Sequence, residues 1–254
     1  MPFTLSHAVL APPLAKLSKG YLPTAALAIG CMTPDLTRLF TQQDGGKTHL
    51  WSALIYPNLA IGLIFCLFWY LLYRPVLYRF LGLQDPLQLT QLKTRMGFVI
   101  GIVIGILVGI STHLIWDGLT HVDFRTFAFR DFLSQSISLF GQHFPVHRVL
   151  QIGTSILTLP ILAWMCIHYF QQFRQREKVS FKIKLYAWSL FGLTLLSGFY
   201  SVWDYARYFS HEVWVANLYY FTGRSINEFT QVALVIFSTG CLIFMFFDQK
   251  QHFK

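Results

Sequence analysis

Five long apolar stretches constrain this chain more than any other feature. Each is long enough for an α-helix to cross the hydrocarbon core of a bilayer, which takes ~20 residues. Of the 254 residues, 54% are hydrophobic and only 12% are charged, whereas soluble domains carry about 25% charged residues. The stretches are Ala53–Tyr73, Met96–Trp116, Val149–Phe170, Leu185–Trp203 and Phe229–Phe247.

These stretches predict an all-α fold, a polytopic membrane helical bundle with about five spanning helices. We expect one integral-membrane domain over residues 1–254, with the spans in residues 53–247 and an N-terminal re-entrant segment in residues 1–52. Within that segment, the apolar run from Leu22 to Met32 is too short to span. It indicates a short re-entrant or half-buried helix, which Pro34 should stop.

A glycine stripe marks the second spanning helix. Gly97, Gly101, Gly105 and Gly109 recur every four residues and so lie on one helical face. Small residues at this spacing let another helix approach closely inside a membrane. We therefore expect a tightly packed neighbour along this face.

The distribution of Lys and Arg predicts the orientation. Loops 74–95 and 171–184 together with the C-terminal tail carry eleven, and loops 117–148 and 204–228 carry five. Basic loops favour the cytoplasmic side, which places the C-terminus in the cytoplasm. The net charge of +9 then reflects membrane topology, with the lipid bilayer as the partner and no nucleic acid. In the outer loop 117–148, aromatic residues alternating with polar ones suggest an interfacial amphipathic helix.

Three polar side chains share one face at the end of the second span. His113, Asp117 and His121 stand at i, i+4 and i+8. Ionisable residues in a membrane helix are costly and are candidates for function. The simpler alternative is a hydrogen-bonded patch without a ligand.

Three further candidates border apolar segments on the predicted outer side, namely His7, Asp35 and His49. Imidazole and carboxylate ligands together suit Zn, Mn, Fe or Ni better than Mg or Ca, and the full set suffices for one ion or two. Asp117 or Asp35 is also a candidate general base or orienting group. His143, His147 and His211 are weaker candidates, because they lie in outer loops.

Four motifs resemble a bacterial integral-membrane family filed as domain of unknown function 4184: MPFTLSHA at the N-terminus, ALAIGCMTPD at 26–35, THLWSALIYPNLAIGLI at 48–64 and STHLIWDGLTH at 111–121. The pattern is similar to that of predicted membrane-bound metal-dependent hydrolases of the bacterial inner membrane. The resemblance implies metal ligands at His7, Asp35, His49, His113 and Asp117, with His121 following. Trp51 and Ser52 depart from the small residues expected there.

Three hypotheses follow. The first is a metal-dependent hydrolase of the bacterial inner membrane, with a divalent transition metal such as Zn and an outward-facing site that acts on a lipid or phosphate ester. The second is a non-enzymatic membrane protein with a structural metal site or polar network. The third is a transporter, for which inverted repeats would be expected. A closed coordination shell would indicate a structural metal site, and an open position would indicate a catalytic one.

Overall fold

The chain folds as an all-α helical bundle. The computed structural model describes residues 4–41, 45–84, 87, 89–139, 141–250 and 253. Five helices are long and apolar enough to cross a membrane, and each contains one of the predicted stretches. They are Trp51–Leu81, Leu92–Thr120, Val146–Phe173, Phe181–Ala206 and Tyr220–Gln249. The prediction of a polytopic membrane bundle is therefore confirmed at the level of fold class.

Ten α-helices and one hairpin follow one another along the described chain. The α-helices are α1 (Ala11–Leu17), α2 (Thr24–Leu36), α3 (Ala60–Phe68), α4 (Arg74–Leu81), α5 (Leu92–Thr120), α6 (Arg130–Ser134), α7 (Val146–Phe173), α8 (Phe181–Ala206), α9 (His211–Ala216) and α10 (Leu218–Gln249). Two strands, β1 (Ser136–Leu139) and β2 (Gln142–Pro145), pair antiparallel. Short 3₁₀ turns cover Thr4–Leu10, Thr37–Leu39, Gly45–His49 and Trp51–Ala53, and π-helical turns cover Leu54–Leu59 and Trp69–Tyr73.

The chain divides into two compact units, which we describe separately. The first unit comprises Met1–Thr37, Gln42–Cys66 and Pro86–Gln171. The second comprises Arg38–Thr41, Leu67–Asp85 and Gln172–Lys254. The first unit contains the N-terminal turns with α1, α2 and α5, and it also contains His7, Asp35, His49, His113, Asp117 and His121.

In the first unit, α2 lies against the glycine stripe of α5. A Cβ at Gly101 would overlap the carbonyl of Tyr21, and one at Gly109 would overlap the carbonyl of Leu27 and the amide of Cys31. Residue numbers increase in the same direction along both contacts, so α2 and α5 run parallel. The prediction of close packing is confirmed here, although a Cβ at Gly97 would meet no atom within 4 Å.

Helix α2 does not stop at Pro34, contrary to the prediction. It has 13 residues and continues through Pro34 to Leu36. Two threonines provide hydrogen bonds at this point: Thr33 Oγ1 donates to the carbonyl of Ile29 (2.8 Å) and Thr48 Oγ1 donates to that of Pro34 (2.8 Å). Buried hydroxyls of this kind allow a proline inside a membrane helix. As a result Asp35 lies within the last turn of α2.

Loop 117–148 does not form the predicted amphipathic helix. It contains the short helix α6 and the β1–β2 hairpin, in which Ile137 pairs with Phe144. The physical reason is the period of the pattern, because the sequence Ser-Ile-Ser-Leu alternates every second residue and such alternation favours a strand. Gly141 has φ of +78° next to β2, a conformation that glycine adopts at little cost.

The second unit has an aliphatic and aromatic core. Its main helices, α8 and α10, pack together with α4, and α10 begins eleven residues before the predicted apolar stretch that starts at Phe229. Aromatic side chains dominate the centre, where the ring of Phe244 lies 4.7 Å from that of Phe80 and 5.3 Å from that of Tyr186. The buried members of this core are Leu72, Val76, Ile183, Leu190, Cys241 and Phe244.

Candidate metal centre

Four separate segments of the first unit bring five of the predicted ligands together. The 3₁₀ turn Thr4–Leu10 carries His7, the last turn of α2 carries Asp35, the turn Gly45–His49 ends in His49, and α5 contributes two residues. Their exposed fractions range from 0% to 5%, so the whole group is withdrawn from solvent. The parallel packing of α2 on α5 explains part of this convergence, since both helices end on the same side of their contact. The five residues are His7, Asp35, His49, His113 and Asp117.

Asp117 lies at the centre of the group. His113 Nε2 is 3.5 Å and His49 Nε2 is 3.6 Å from Asp117 Oδ2. His7 Nε2 is 3.9 Å from the other oxygen, Oδ1. The i, i+4 spacing of His113 and Asp117 thus brings both side chains to one point, as the sequence predicted.

Asp35 faces the same point from α2. Its Oδ1 lies 3.3 Å from His49 Nε2, and its Oδ2 accepts a hydrogen bond from Thr4 Oγ1 (2.9 Å). The hydroxyl fixes the orientation of the carboxylate, leaving Oδ1 directed at the imidazole. Such a hydrogen bond to a potential ligand is the usual outer support of a metal site.

His113 is held in the tautomer that a metal ligand needs. Its Nδ1 lies 2.7 Å from the carbonyl oxygen of Cys31. Because a carbonyl oxygen can only accept, Nδ1 donates the proton. In the neutral ring Nε2 then carries the lone pair that a metal binds.

His7 is also suited to act as a neutral ligand. Its ring stacks on that of His113 with centroids 3.9 Å apart. Burial, and then the neighbouring His113, lower the pKa of His7 well below its usual 6.5. The imidazole is therefore neutral at pH 7, which is the form that coordinates metals.

Several polar atoms in the group lack hydrogen-bond partners. Among the described residues, His7 Nε2, His113 Nε2 and Asp117 Oδ1 are buried without one. Buried polar atoms are normally hydrogen-bonded, and groups of exceptions often mark a site for an ion or water. Two sets of three side chains have potential ligand atoms within 4.8 Å of one another: His7, Asp35 and His113, and His49, His113 and Asp117. The donor set therefore fits a divalent transition metal.

His121 occupies a different position from the other predicted ligands. Its Nδ1 lies 3.1 Å from the backbone carbonyl of Asp117 and 3.6 Å from Asp117 Oδ1. Among the described residues, neither set of close ligand atoms includes it. Burial lowers its pKa to about 4, so the ring is neutral at pH 7. His121 thus lies beside the group and contacts Asp117, the carboxylate at its centre.

Sequence reasoning missed Arg125 as a member of the site. In loop 117–148 Arg125 pairs with Asp123, and Arg125 Nε lies 3.0 Å from Asp123 Oδ1. However, Arg125 NH1 also donates to Asp117 Oδ2 (3.0 Å). The available signal was that Arg125 is the Lys or Arg closest in sequence to Asp117. However, Arg125 lies in a loop, so helical spacing could not predict the direction of its side chain.

Asn58 was missed as well. It is fully buried in the first spanning segment, and its Nδ2 donates to the carbonyl of Thr48 (2.7 Å). This bond fixes the turn that presents His49. The weaker histidine candidates lie elsewhere: His143 is in β2, and His147 Nδ1 faces Gln151 Nε2 at 3.5 Å. His211 begins α9 in the second unit.

Comparison with protein families supports the resemblance noted in the sequence. The model of the domain of unknown function DUF4184 matches residues 1–247. The chain belongs to the DUF4184 family. All six predicted ligands of this DUF4184 protein lie within the matched region, and the match extends through both compact units. Comparison with curated proteins and with solved structures finds no match.

Proposed function

We propose that this DUF4184 protein is a membrane-bound hydrolase that depends on one divalent transition metal, with Zn²⁺ as the first candidate. The observation that carries the proposal is the convergence of three imidazole Nε2 atoms and two carboxylates in a buried group. The ligands would be His7, Asp35, His49, His113 and Asp117. His121, the sixth predicted ligand, would act beside them through Asp117.

The charge balance of the group favours a cation. Asp35 and Asp117 are 4% and 1% exposed, and Arg125 NH1 lies 3.0 Å from Asp117 Oδ2. Buried charges persist when they are paired or coordinate a metal. Imidazoles are neutral when they bind a metal, so the negative charge of the proposed ligand set comes from the two carboxylates of Asp35 and Asp117, and a divalent cation would compensate it.

One ion fits the ligand atoms better than two. The two sets of close ligand atoms share His113. Its Nδ1 is engaged by the carbonyl of Cys31, so only Nε2 is available. Since one imidazole nitrogen binds one metal, both sets belong to a single coordination sphere. This sharing of His113 supports one ion over the two that the sequence also allowed.

The chemistry proposed is hydrolysis of an ester, with a lipid or phosphate ester as substrate. A bound divalent metal supplies Lewis acidity and lowers the pKa of water to about 7. We assign to Asp35, as the alternative to its role as a ligand, the acceptance of a proton from the attacking water, while Arg125 orients Asp117 through a charge-assisted hydrogen bond. The water oxygen bonds to the ester centre, the bond to the leaving alcohol breaks, and the alcohol takes up the proton. We place the site on the outer side of the bacterial inner membrane, as the basic loops indicate.

A closed structural metal centre is the second candidate function. The observation that favours it is burial, because all five proposed ligands are at most 5% exposed. A structural site has no coordination position for substrate. The two candidates agree on metal binding and differ in whether the metal-loaded protein turns over a substrate.

The first experiment measures metal content of the detergent-purified protein by mass spectrometry. The parent is compared with a His113→Ala/Asp117→Ala variant and with His168→Ala, a control on α7 outside the group. We expect close to one metal ion per chain in the parent and in the control, and loss of that ion in the double variant. A parent without metal after reconstitution with Zn²⁺ or Mn²⁺ overturns the proposal.

A second assay separates the hydrolase from the structural centre. The metal-loaded parent is incubated with 4-nitrophenyl phosphate and with phosphatidic acid in mixed micelles, and released phosphate is measured. The hydrolase predicts turnover that disappears in Asp35→Asn. Stoichiometric metal with no turnover, together with unfolding on chelation, supports the structural centre.

A further inference from the structure

We infer that Arg125 binds the phosphate group of the substrate at the edge of the metal centre. The inference rests on the proposed function and deepens it, because it names the substrate class as an anionic phosphate ester. The juxtaposition that carries it is a guanidinium bonded to the central carboxylate of the cluster and held there by a second carboxylate, Asp123.

Arg125 lies at the boundary of the buried group. Its side chain is 14% exposed, whereas those of Asp117 and His113 are 1% and 0% exposed. Asp123, which holds the other edge of the guanidinium, is 35% exposed. The guanidinium therefore connects the buried ligands with the more open outer loop. A ligand that approaches from that loop meets Arg125 before it reaches Asp117.

The guanidinium has N–H donors that the described contacts do not use. It carries five N–H groups. Nε and NH2 each donate to Asp123, and NH1 donates to Asp117 Oδ2. The described contacts thus use three N–H groups and leave one on NH1 and one on NH2. These two lie on the two terminal nitrogens, and two N–H groups of one guanidinium can bind two oxygens of a phosphate.

The outer loop holds Arg125 in place without a bound ligand. Asp123 Oδ1 accepts the backbone N–H of Arg125 as well as its Nε–H. Thr126 Oγ1 donates to the carbonyl of His121 and accepts from the backbone N–H of Asp123. Phe127 closes the loop, since its N–H bonds to the carbonyl of Gly118 on α5. A side chain fixed in this way loses little conformational entropy on binding.

The charges allow an anion once the metal is present. Among the described side chains, Asp35, Asp117 and Asp123 contribute three negative charges, and Arg125 and a divalent ion would contribute three positive ones. These side-chain charges would then balance, and Arg125 is bonded to Asp117, one of the residues that would hold the metal. Without the guanidinium the same site would carry a net negative charge and repel a phosphate. A neutral carboxylic ester or amide gives Arg125 no charged partner, so the arrangement favours phosphate esters.

The inference is tested by isothermal titration calorimetry of the metal-loaded protein in detergent. One arm titrates inorganic phosphate, and the other titrates phosphatidic acid in mixed micelles. The variants are Arg125→Gln and Arg125→Lys, with Arg130→Gln as the matched control because Arg130 is an exposed arginine in the same loop. Metal content is measured on every sample, and size-exclusion chromatography monitors folding.

We expect phosphate to bind the parent and Arg130→Gln equally, and Arg125→Gln at least about tenfold more weakly, as for the loss of a charge-assisted hydrogen bond. Arg125→Lys keeps the charge but loses the fork and should weaken binding by a smaller factor. Metal content should be unchanged in both variants, because neither change removes a proposed metal ligand. If Arg125→Gln aggregates, Arg125→Lys decides the question.

The possible results are distinguishable. Equal phosphate affinity in the parent and the Arg125 variants, or no phosphate binding by a metal-loaded parent, overturns the inference and leaves the metal centre intact. A parent without metal overturns the proposed function and the inference with it. Weaker binding of both inorganic phosphate and phosphatidic acid by the Arg125 variants supports the inference. Tighter binding of phosphatidic acid than of inorganic phosphate then identifies a lipid headgroup as the source of the phosphate, and equal binding identifies a water-soluble ester.

Discussion

The two compact units of this protein have opposite interiors. All thirteen polar or charged side chains that are buried among the described residues belong to the first unit. The buried side chains of the second unit are aliphatic, aromatic or cysteine, with Phe244 at the centre. Both units are built from apolar helices of similar length, so the contrast lies in what those helices enclose.

The contrast separates two ways of using a membrane helix. In the second unit, side-chain packing holds the helices together, supported by a few bonds such as that from Tyr186 Oη to the carbonyl of Gly240 (2.8 Å). In the first unit, glycines bring backbones into contact and the polar residues gather at the end of that contact. Burying ionisable groups is costly in a membrane, and such residues are candidates for function. The polar interior of the first unit is therefore better explained by a functional site than by stability. Substitutions in the two units should therefore have different consequences.

The largest effect on stability is expected from Phe244→Ala in the second unit. Phe244 is 1% exposed and contacts the rings of Phe80 and Tyr186. Truncating a buried phenylalanine lowers the free energy of unfolding by about 3–5 kcal/mol. Denaturation in mixed micelles measures this change, while the metal content of the folded fraction should remain that of the parent. Loss of metal from the folded fraction would contradict the expectation that the core of the second unit affects stability and not metal binding.

Gly109→Ala in the first unit should have the opposite pattern, with a smaller loss of stability and a loss of bound metal. The new Cβ overlaps the backbone of Leu27 and Cys31, so α2 must move away from α5. We expect a stability loss of about 1–3 kcal/mol, together with loss of metal, because the movement separates Asp35 from Asp117. Gly97→Ala is the matched control, since its Cβ meets no atom within 4 Å. Metal retention in a folded Gly109→Ala protein would contradict the link between the helix contact and the site.

The pH dependence of stability should come from the first unit. Burial lowers the pKa of His121 to about 4 in the folded protein, below the ~6.5 of an unfolded histidine. The unfolded state thus binds the proton first, and stability falls as the pH drops from about 6.5 to about 4. For metal-free protein, His121→Gln should flatten this slope by at most about 1.4 kcal/mol per pH unit. Thermal unfolding at several pH values measures it, and an unchanged slope would exclude His121 as its source.

The smallest effect is expected at the surface of the second unit. Arg79 and Asp248 form a two-pronged ion pair with distances of 3.0 and 3.2 Å, and the Arg79 side chain is 51% exposed. Exposed pairs contribute roughly 0.2–1 kcal/mol. Arg79→Gln should therefore lower stability by no more than this amount, as measured by denaturation. A loss as large as that of Phe244→Ala would mean that ion pairing contributes strongly to the core of the second unit.

Periodic features of the sequence predicted most of the fold. The spanning helices follow from apolar length alone. The glycines at 101, 105 and 109 predicted close packing along one face of α5, and the structure shows that α2 is the partner. The group of His113 and Asp117 follows from helical spacing. His7, Asp35 and His49 were identified by their position at the borders of apolar segments and by the family resemblance, but their convergence depends on a chain path that no local pattern specifies.

Tertiary contacts account for what the sequence did not predict. Pro34 normally ends a helix, yet the hydroxyls of Thr33 and Thr48 support the helix around it. Arg125 reaches Asp117 because the loop folds back over Gly118. The hairpin in loop 117–148 was missed for a different reason, since a pattern with a period of two was interpreted as an amphipathic helix.

The parallel course of α2 and α5 has an electrostatic consequence. Every α-helix carries a partial negative charge at its C-terminal end, equivalent to roughly half an elementary charge. Asp35 and Asp117 both lie in the last turn of their helices, so two such ends and two carboxylates point at the same small volume. Carboxylates are unfavourable at that end of a helix unless a cation is near. The helix axes themselves therefore make this end of the first unit attractive to positive ions, independently of which side chains coordinate them.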